Sequence, residues 1–258
     1  MSAVACADDR PLESALSHTT LVIAHRGNSG TAPENTLASL SEALDIGAQI
    51  VECDIQLTAD GVAVLMHADT IDRTTDGSGA IADMTLADLD GLDAGSWKDA
   101  AYAGEIIPTL EDALALANGR GRLYLDVKTE GAAEAIVNAA TSAGVSAEDV
   151  FLGANTVTKL FDFHLNAEGF PIIWWGEIPT TIQPSYFDVM EDLGVVGFEQ
   201  RWSTFDQAFH DAAQKAGFPS WVYTINDVDE MQAAIDVGVD GIETDYPQRL
   251  IGLIEAAE

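Results

Sequence analysis

Several apolar runs of the sequence end on side chains that can move protons, bind anions or hold a metal ion. The run at 21–24 is followed by His25 and Arg26, and the run at 62–66 is followed by His67. Two other runs contain charged residues at alternate positions, in the triplets ECD at 52–54 and DVK at 126–128. Because alternate residues of a regular strand face the same side, each triplet places both charged side chains on one face. The polar residues collected in this way are His25, Arg26, Glu52, Asp54, His67, Asp126 and Lys128.

Together, these residue types predict phosphate-ester chemistry assisted by a metal ion. Glu52, Asp54 and Asp126 would repel one another strongly in a shared site unless they were protonated or bound a cation. Oxygen ligands favour a hard cation, Mg²⁺ or Ca²⁺, and the sequence has no Cys/His spacing typical of zinc. A cation with Arg26 and Lys128 beside it forms a receptor for phosphate. Two histidines can then serve as general base and general acid.

The elements that must position these residues are strands that alternate with helices. Nine apolar runs have the length of strands, and helices are predicted at 35–46, 110–118, 132–143 and 229–237. This alternation indicates parallel strands buried on both faces. A chain of 258 residues also has the size of one α/β barrel. The sequence therefore predicts a TIM (β/α)8 barrel; a doubly wound sheet is the alternative, but the first strand–helix turn lacks G-x-G-x-x-G.

A β-hairpin after the second strand accounts for the ninth run. Only the turn sequence TADG separates the run at 50–57 from the run at 62–67, which leaves no room for a helical crossover. A turn centred on Ala59–Asp60 sets Glu52 opposite His67 and returns His67 to the mouth of the barrel. The next stretch, Ala68–Ile107, is rich in Asp, Gly and Thr and is too long for a plain loop. We predict that it forms a small inserted lobe.

Composition limits the class of protein and its partners. Hydrophobic residues make up 47% of the chain, enough for a large core, and no apolar run has the ~18 residues of a membrane span. We predict a flexible N-terminal segment at 1–19 and a single catalytic domain at 20–258. The net charge of −32, from 43 acidic and 11 basic residues, excludes nucleic acid and anionic membranes as partners. The acidity fits either adaptation to salt or an ordinary acidic protein.

The two cysteines lie in different sequence environments. Cys53 lies in an apolar run, where a buried thiol is expected. Cys6 lies in SAVACADD, which resembles the small-residue end of a bacterial lipoprotein signal, although the charged and apolar regions that precede such a signal are absent. Two interpretations of Cys6 stay open, a lipidation site and a residue of a tail without function. The sequence slightly favours a periplasmic or extracellular location over a cytoplasmic one.

The motifs resemble those of the glycerophosphodiester phosphodiesterases. HRG, PENT, ECD, DGVAVLMHAD, RTTDGSG, DAGSW and IPTLEDAL occur in the order and spacing of that family between Leu21 and Lys128, and VYTIND and GVDGIETDYP extend the similarity. HRG alone is weak, but the ordered set is specific. The resemblance implies hydrolysis of small glycerophosphodiesters, such as glycerophosphocholine or glycerophosphoethanolamine, to sn-glycerol 3-phosphate and an alcohol. It also implies attack by the glycerol 2-hydroxyl, giving a cyclic phosphate that water then opens.

The resemblance also implies roles for single residues. It makes His25 and His67 the catalytic acid/base pair, and Glu52, Asp54 and Asp126 the ligands of one divalent cation. It makes Arg26, Lys128 and Tyr223 substrate- or phosphate-binding residues. The family often has Glu at the position of Asp126 and Trp at that of Tyr223. Glu34 and Asn35 match PENT, and we interpret them as helix-start residues beneath the first strand.

Other interpretations stay open at this point. A strand-end histidine can be structural, and Arg26 and Lys128 can simply neutralise neighbouring acids. A lipid-directed phosphodiesterase, of the sphingomyelinase D or lysophospholipase D kind, and a barrel that only binds phosphorylated ligands are the alternative functions. The match is poor at 151–203, where Trp174, Trp175 and Trp202 lie; we favour core packing for each of them over pocket lining. The oligomeric state is unknown.

Overall fold

The computed structural model of the protein describes residues 20–179 and 181–257. Within these residues, eight parallel strands close into a barrel and each is followed by a helix before the next barrel strand, so the predicted TIM barrel is confirmed. The strands are β1 (Leu21–Ala24), β2 (Ile50–Leu57), β3 (Ala63–Leu65), β4 (Arg122–Val127), β5 (Val150–Ala154), β6 (Ile172–Trp174), β7 (Val195–Arg201), β8 (Ser220–Tyr223) and β9 (Gly241–Thr244). The barrel order is β1-β9-β8-β7-β6-β5-β4-β2, closed by pairing of β1 with β2, and β3 lies antiparallel on β2.

The helices cover the outside of the barrel. They are α1 (Leu37–Asp45), α2 (Leu86–Leu89), α3 (Leu110–Ala117), α4 (Ala133–Ala143), α5 (Val157–Asn166), α6 (Pro184–Asp192), α7 (Gln207–Lys215), α8 (Val228–Val237) and α9 (Pro247–Ala257). The four helices predicted from the sequence correspond to α1, α3, α4 and α8 within about two residues at each end. Threonine caps begin α1 and α3, where the side chains of Thr36 and Thr109 accept hydrogen bonds from backbone N–H groups of the first turn.

Apolar side chains close the amino-terminal half of the barrel interior. Trp221 of β8 packs edge-on against Tyr124 and Phe151, with ring centroids 5.7 and 5.5 Å away. Leu21, Ile23, Ile50 and Ile173 complete this interior cluster. A larger core lies between the strands and the helices. Because the interior is filled at one end, the polar residues of the strands gather at the other end, where the strands terminate.

The predicted hairpin exists, but its register is shifted by one residue. Ile55 pairs with Leu65 and Leu57 with Ala63, and continuing this register sets Cys53, not Glu52, level with His67. The prediction was wrong because the loop contains one more residue than a turn centred on Ala59–Asp60 allows. Gly61, which has a φ of +79°, closes the loop as the extra residue, a left-handed conformation that glycine adopts at low cost.

Residues 68–107 form a compact lobe beside the mouth. They contain α2 and two short 3₁₀ helices, Ile81–Asp83 and Ala100–Tyr102. Ile71, Ile81 and Leu89 bury their side chains in a small separate core together with Val64 and Met66, which come from the hairpin. The lobe contacts the β1–α1 loop through Lys98, whose Nζ donates to the Ser29 carbonyl at 2.7 Å. The insertion thus supports the loop that follows β1.

Of the two cysteines, only Cys53 lies within the described residues. Cys53 is buried, as expected for a small core thiol. Cys6 and the predicted N-terminal segment at 1–19 lie outside the described residues. Within residues 20–179 and 181–257, no helix combines the length and the apolar character that a membrane crossing requires.

Candidate active site

A cavity of about 250 Å³ opens where the barrel strands end. It is lined by seven of the eight predicted site residues: His25, Arg26, Glu52, His67, Asp126, Lys128 and Tyr223. The eighth, Asp54, is 1% exposed and contacts Arg26 and Lys128 in the wall of the same cavity. Residues from β1, β2, β4, β8 and the end of the hairpin are therefore brought together, as the prediction for a barrel mouth requires.

His25 is held at the tip of β1 by residues from the other end of the chain. Its backbone N–H donates to the Thr244 carbonyl at 2.9 Å, and its Nδ1 lies 2.6 Å from Asp245 Oδ1. Asp245 also accepts hydrogen bonds from Ser29 at 3.0 Å and from Asn226 at 2.7 Å. Burial alone would raise the pKa of Asp245, but these contacts, that with His25 foremost, lower it to about 2. The fixed carboxylate orients the imidazole with Nε2 toward Glu243, 3.7 Å away.

The tripeptide HRG has a conformational explanation. Arg26 has a φ of +55°, and Gly27 follows with a φ of +80°, so the chain turns sharply out of β1 through the left-handed region. A Cβ on Gly27 would lie 2.5 Å from the backbone of Ser39 in α1, which only glycine avoids. The turn directs the backbone N–H of Arg26 to Glu52 Oε2, at 2.7 Å. The motif therefore fixes both the arginine and a predicted metal ligand.

The three predicted ligands form one group of oxygens. Glu52, Asp54 and Asp126 each offer an oxygen, and these oxygens all lie within 4.8 Å of one another. Burial raises the pKa of Glu52 well above its ordinary value, and Asp54 and Asp126 add to the effect. Burial also raises the pKa of Asp126, against the opposing charge of Lys128. Such crowding of carboxylates is relieved when a cation is bound.

Asp54 is the most strongly held of the three carboxylates. Its Oδ1 lies 2.8 Å from Lys128 Nζ, and its Oδ2 lies 3.0 Å from Arg26 Nε and accepts a hydrogen bond from Asn35 at 2.7 Å. Burial disfavours the charged form, but Lys128 and Arg26 outweigh burial and keep the pKa of Asp54 below its ordinary value. Asp54 is therefore ionised at neutral pH.

Lys128 lies between two of the predicted metal ligands. Its ammonium group contacts both Asp54 and Asp126. Burial would lower the pKa of Lys128, but these two carboxylates outweigh burial and raise it. The contact of Lys128 with phosphate stays a prediction, because in this structure the ammonium group forms ion pairs with the two carboxylates.

Glu34 and Asn35 do not begin the helix beneath β1, contrary to our interpretation of PENT. The helix begins at Leu37 with Thr36 as its cap. Glu34 Oε1 instead accepts from Arg26 Nη1 at 2.9 Å, and both Glu34 oxygens accept from Arg73 of the lobe. Asn35, with a φ of +59°, bonds Asp54 through both its amide nitrogen and its amide oxygen. Glu34 and Asn35 therefore position two residues of the site, Arg26 and Asp54.

His67 reaches the cavity from the returning arm of the hairpin. It is half-buried, and burial lowers its pKa below the ordinary value; Arg26 and Lys128 add to this shift, whereas Asp54 opposes it. The imidazole is therefore neutral at pH 7 and able to accept a proton.

The three tryptophans of the divergent segment occupy different environments. Trp174 is 7% exposed and belongs to the main core, and Trp202 packs on Phe205 with ring centroids 5.3 Å apart, as the packing interpretation predicts. Trp175 is the exception. It lines the cavity and meets Tyr223 edge-on at 6.1 Å, because β6 ends at Trp174 and the next side chain turns toward the mouth.

The sequence interpretation missed several polar residues of the site. Glu199 and Glu243 are at most 5% exposed and line the cavity, and Glu199 accepts a hydrogen bond from the Tyr124 hydroxyl at 2.8 Å. Burial raises the pKa of Glu199 to about 8, and burial together with Glu199 raises that of Glu243 well above its ordinary value. Glu243 forms a second group of potential ligands with His25 and Glu52. The sequence did contain a signal for Glu243, because GIETD at 241–245 repeats the E-x-D spacing of ECD at the end of another strand.

The fold and the site define an α/β-barrel hydrolase of phosphodiesters, and comparison with known proteins gives its family. The profile of the glycerophosphoryl diester phosphodiesterase family matches residues 25–249. The chain belongs to this family and is a glycerophosphodiester phosphodiesterase, so the resemblance noted in the sequence is confirmed.

Individual relatives are similar over nearly their whole length. The glycerophosphodiester phosphodiesterase of Caldanaerobacter subterraneus is 32% identical, over 91% of this chain and 98% of its own. A phosphodiesterase of Oleispira antarctica, solved in complex with the product sn-glycerol-3-phosphate, is 32% identical with a TM-score of 0.79, covering 93% of this chain and 99% of its own. The glycerophosphodiester phosphodiesterase of Agrobacterium tumefaciens is 28% identical with a TM-score of 0.79, covering 90% and 99%.

Proposed function

We propose that the protein hydrolyses glycerophosphodiesters such as glycerophosphocholine and glycerophosphoethanolamine to sn-glycerol 3-phosphate and the free alcohol, with His25 and His67 as the acid/base pair. The observation that carries this proposal is the shared cavity, in which both histidines face a group of three carboxylates with Arg26 and Lys128 beside it. The relative solved with sn-glycerol-3-phosphate supports the identity of the product.

The carboxylate group fits one hard divalent cation, Mg²⁺ or Ca²⁺. Its donors are all oxygens from Glu52, Asp54 and Asp126, the ligand type that these ions prefer. One oxygen of Asp126, Oδ1, is buried and has no hydrogen-bond partner among the described residues, as a ligand oxygen would be before it binds a metal. When bound, the cation supplies positive charge to the phosphate oxygens and makes the site attractive to an anion despite the acidity of the chain.

The two histidines take different roles in the proposed reaction. His67 is neutral at pH 7 and accepts the proton of the attacking glycerol 2-hydroxyl, whose oxygen forms the new bond to phosphorus. His25, oriented through Nδ1 by Asp245, gives its Nε2 proton to the leaving alcohol oxygen as the bond between that oxygen and phosphorus breaks. Water then opens the cyclic phosphate with the roles of the histidines exchanged, which returns both to their starting states.

The cations and the aromatic residues bind the substrate in this proposal. Arg26 presents a guanidinium whose pKa is raised by Asp54, Glu52 and Glu34 against the effect of burial, so it stays charged and pairs with phosphate. Lys128 neutralises the carboxylates and contacts the phosphate from β4. Tyr223 lies on the far side of the cavity, where its ring can cover the carbon chain of the substrate.

A panel of diesters tests the proposal. Purified protein, treated with chelator and then supplied with Mg²⁺ or Ca²⁺, should release sn-glycerol 3-phosphate from glycerophosphocholine and glycerophosphoethanolamine. The same protein should turn over sphingomyelin and lysophosphatidylcholine far more slowly, because the cavity of about 250 Å³ is small and polar. Faster turnover of the lipids would support the lipid-directed alternative, and turnover unaffected by chelator would contradict the metal assignment.

A further inference from the structure

One cation of the cavity has no part in the proposed reaction. Arg201 is the last residue of β7 and lines the cavity. In the closed order of the eight barrel strands, β7 lies diametrically opposite β2, the strand of Glu52 and Asp54. A substrate whose phosphate lies beside Arg26 and Lys128 can therefore extend its other end across the mouth toward Arg201.

Arg201 also differs from the other cations of the cavity in its partners. Arg26 pairs with Glu34 and Asp54, and Lys128 pairs with Asp54 and Asp126. No carboxylate of the residues that the structure describes forms an ion pair with Arg201. In a chain with 43 acidic and 11 basic residues, a rim arginine that has no carboxylate partner among the described residues can bind an external anion.

The surroundings of Arg201 hold its side chain in a position for binding. Its guanidinium carbon lies 5.2 Å from the centroid of the Tyr223 ring, and Trp175 meets the same ring edge-on. Among the described residues, the Arg201 side chain makes no hydrogen bond beside this ring contact, so its N–H donors can form two parallel hydrogen bonds to a carboxylate or phosphate. Glu199, two residues earlier on the same face of β7, is engaged by the Tyr124 hydroxyl.

We propose that Arg201 binds a negatively charged group at the alcohol end of the substrate, so that the preferred substrates are glycerophosphodiesters whose alcohol carries a carboxylate or a phosphate. This inference rests on the proposed function and specifies its substrate class. A cationic alcohol such as choline would meet the aromatic rings but also the charge of Arg201, which repels it.

Matched substrates test the preference. We would compare kcat/KM for glycerophosphoglycerol, whose alcohol is neutral, with that for glycerophosphoglycerate, for glycerophosphoglycerol carrying a terminal phosphate, and for glycerophosphocholine. A hydrogen bond to a charged group is worth roughly 10- to 100-fold, and the anionic esters should exceed the neutral ester by that factor. The carboxylate and phosphate esters distinguish which anion fits better.

Variants of Arg201 test whether this residue causes the preference for anionic esters. Arg201→Gln should remove the 10- to 100-fold ratio between anionic and neutral esters, and Arg201→Lys should restore part of it. Lys215→Gln removes the same charge from an exposed position at the end of α7, near the opposite end of the barrel, and should leave the ratio unchanged. A wild-type preference for glycerophosphocholine, or an equal loss on all substrates in Arg201→Gln, would overturn the proposal.

Binding measurements separate this inference from the proposed function. In a His67→Ala background, calorimetry should show that the anionic esters bind at least tenfold more tightly than glycerophosphoglycerol, and that Arg201→Gln abolishes the difference. If the wild-type protein hydrolysed none of the diesters, the proposed function would be wrong, while this affinity difference would still support the role of Arg201. Equal affinities for all esters would refute that role even if hydrolysis were confirmed.

Discussion

Replacing Asp245 by asparagine removes the carboxylate that orients His25. Asp245 Oδ1 lies 2.6 Å from His25 Nδ1, and Ser29 and Asn226 hold the carboxylate in place. Asparagine has nearly the same shape but no charge, and its amide can face the imidazole with either oxygen or nitrogen. The variant therefore loses both the counter-charge of the imidazolium and the control of which ring nitrogen carries the proton.

The pKa of Asp245 gives the size of the effect. Its fall from 3.8 to about 2 corresponds to ~2.5 kcal/mol, or roughly 60-fold in an equilibrium. Ser29 and Asn226 contribute to this value, and the side chain is 30% exposed to solvent, so the share of His25 is smaller. We expect kcat of Asp245→Asn on glycerophosphocholine to fall about 10- to 60-fold, with KM nearly unchanged because in the proposed reaction the imidazole acts on the leaving oxygen.

Steady-state kinetics with a matched control measure the effect. Asp236→Asn removes the same charge from an exposed residue of α8, where Asp236 accepts a hydrogen bond from Gln232, and should change kcat less than about twofold. Metal affinity, measured by calorimetry, should be the same in both variants and the wild type. If Asp245→Asn kept the kcat of the control, or lost metal binding together with activity, the assignment of Asp245 as the residue that orients His25 would be wrong.

Four further predictions concern the metal, the histidines, pH and salt. Glu52→Gln should weaken divalent metal binding by ~100-fold or more, and unchanged affinity by calorimetry would exclude Glu52 as a ligand. The His25→Ala/His67→Ala double variant should turn over little more slowly than either single variant, because in the proposed reaction both histidines serve one step; fully multiplicative losses would contradict this. Because the folded-state pKa of Asp245 is depressed, its contribution to the free energy of unfolding is complete above pH ~4 and lost as the pH falls toward 2; denaturant unfolding should show a smaller loss for Asp245→Asn over that range. If the charge of −32 reflects salt adaptation, the Tm should rise between low and molar NaCl, and a flat Tm would favour an ordinary acidic protein.

The sequence was sufficient to predict the barrel and one half of its mouth. Buried parallel strands have unbroken apolar runs, so a polar pair such as His25–Arg26 at the end of a run marks the tip of a strand. The hairpin was likewise predicted from a short local pattern, the turn sequence TADG at 58–61. Its register was predicted one residue off because the conformation of Gly61, which decides the loop length, cannot be read from composition.

Contacts between distant parts of the chain could not be predicted from the sequence. Asp245 meets His25 across 220 positions, and Arg73 meets Glu34 across 39. Glu199 lies in the segment where the match to the family motifs is poor, and a buried glutamate is too rare to be expected from sequence without such a motif. Glu34 and Asn35 were assigned to a helix start because PENT has the composition of one, whereas the left-handed conformation of Asn35 delays the helix to Leu37.

His25 and His67 are proposed to act on opposite oxygens of the scissile phosphate, and substrates with different leaving groups test this division of roles most directly. The measurement is kcat/KM of His25→Gln on glycerophosphocholine and on the p-nitrophenyl ester of glycerol 3-phosphate, relative to the wild type. Nitrophenolate leaves without being protonated, whereas choline alkoxide requires a proton from a general acid. We predict a loss of ~10²-fold or more on glycerophosphocholine and under about tenfold on the nitrophenyl ester. An equal loss on both substrates would contradict the assignment of His25 as the general acid and the division of roles between the two histidines.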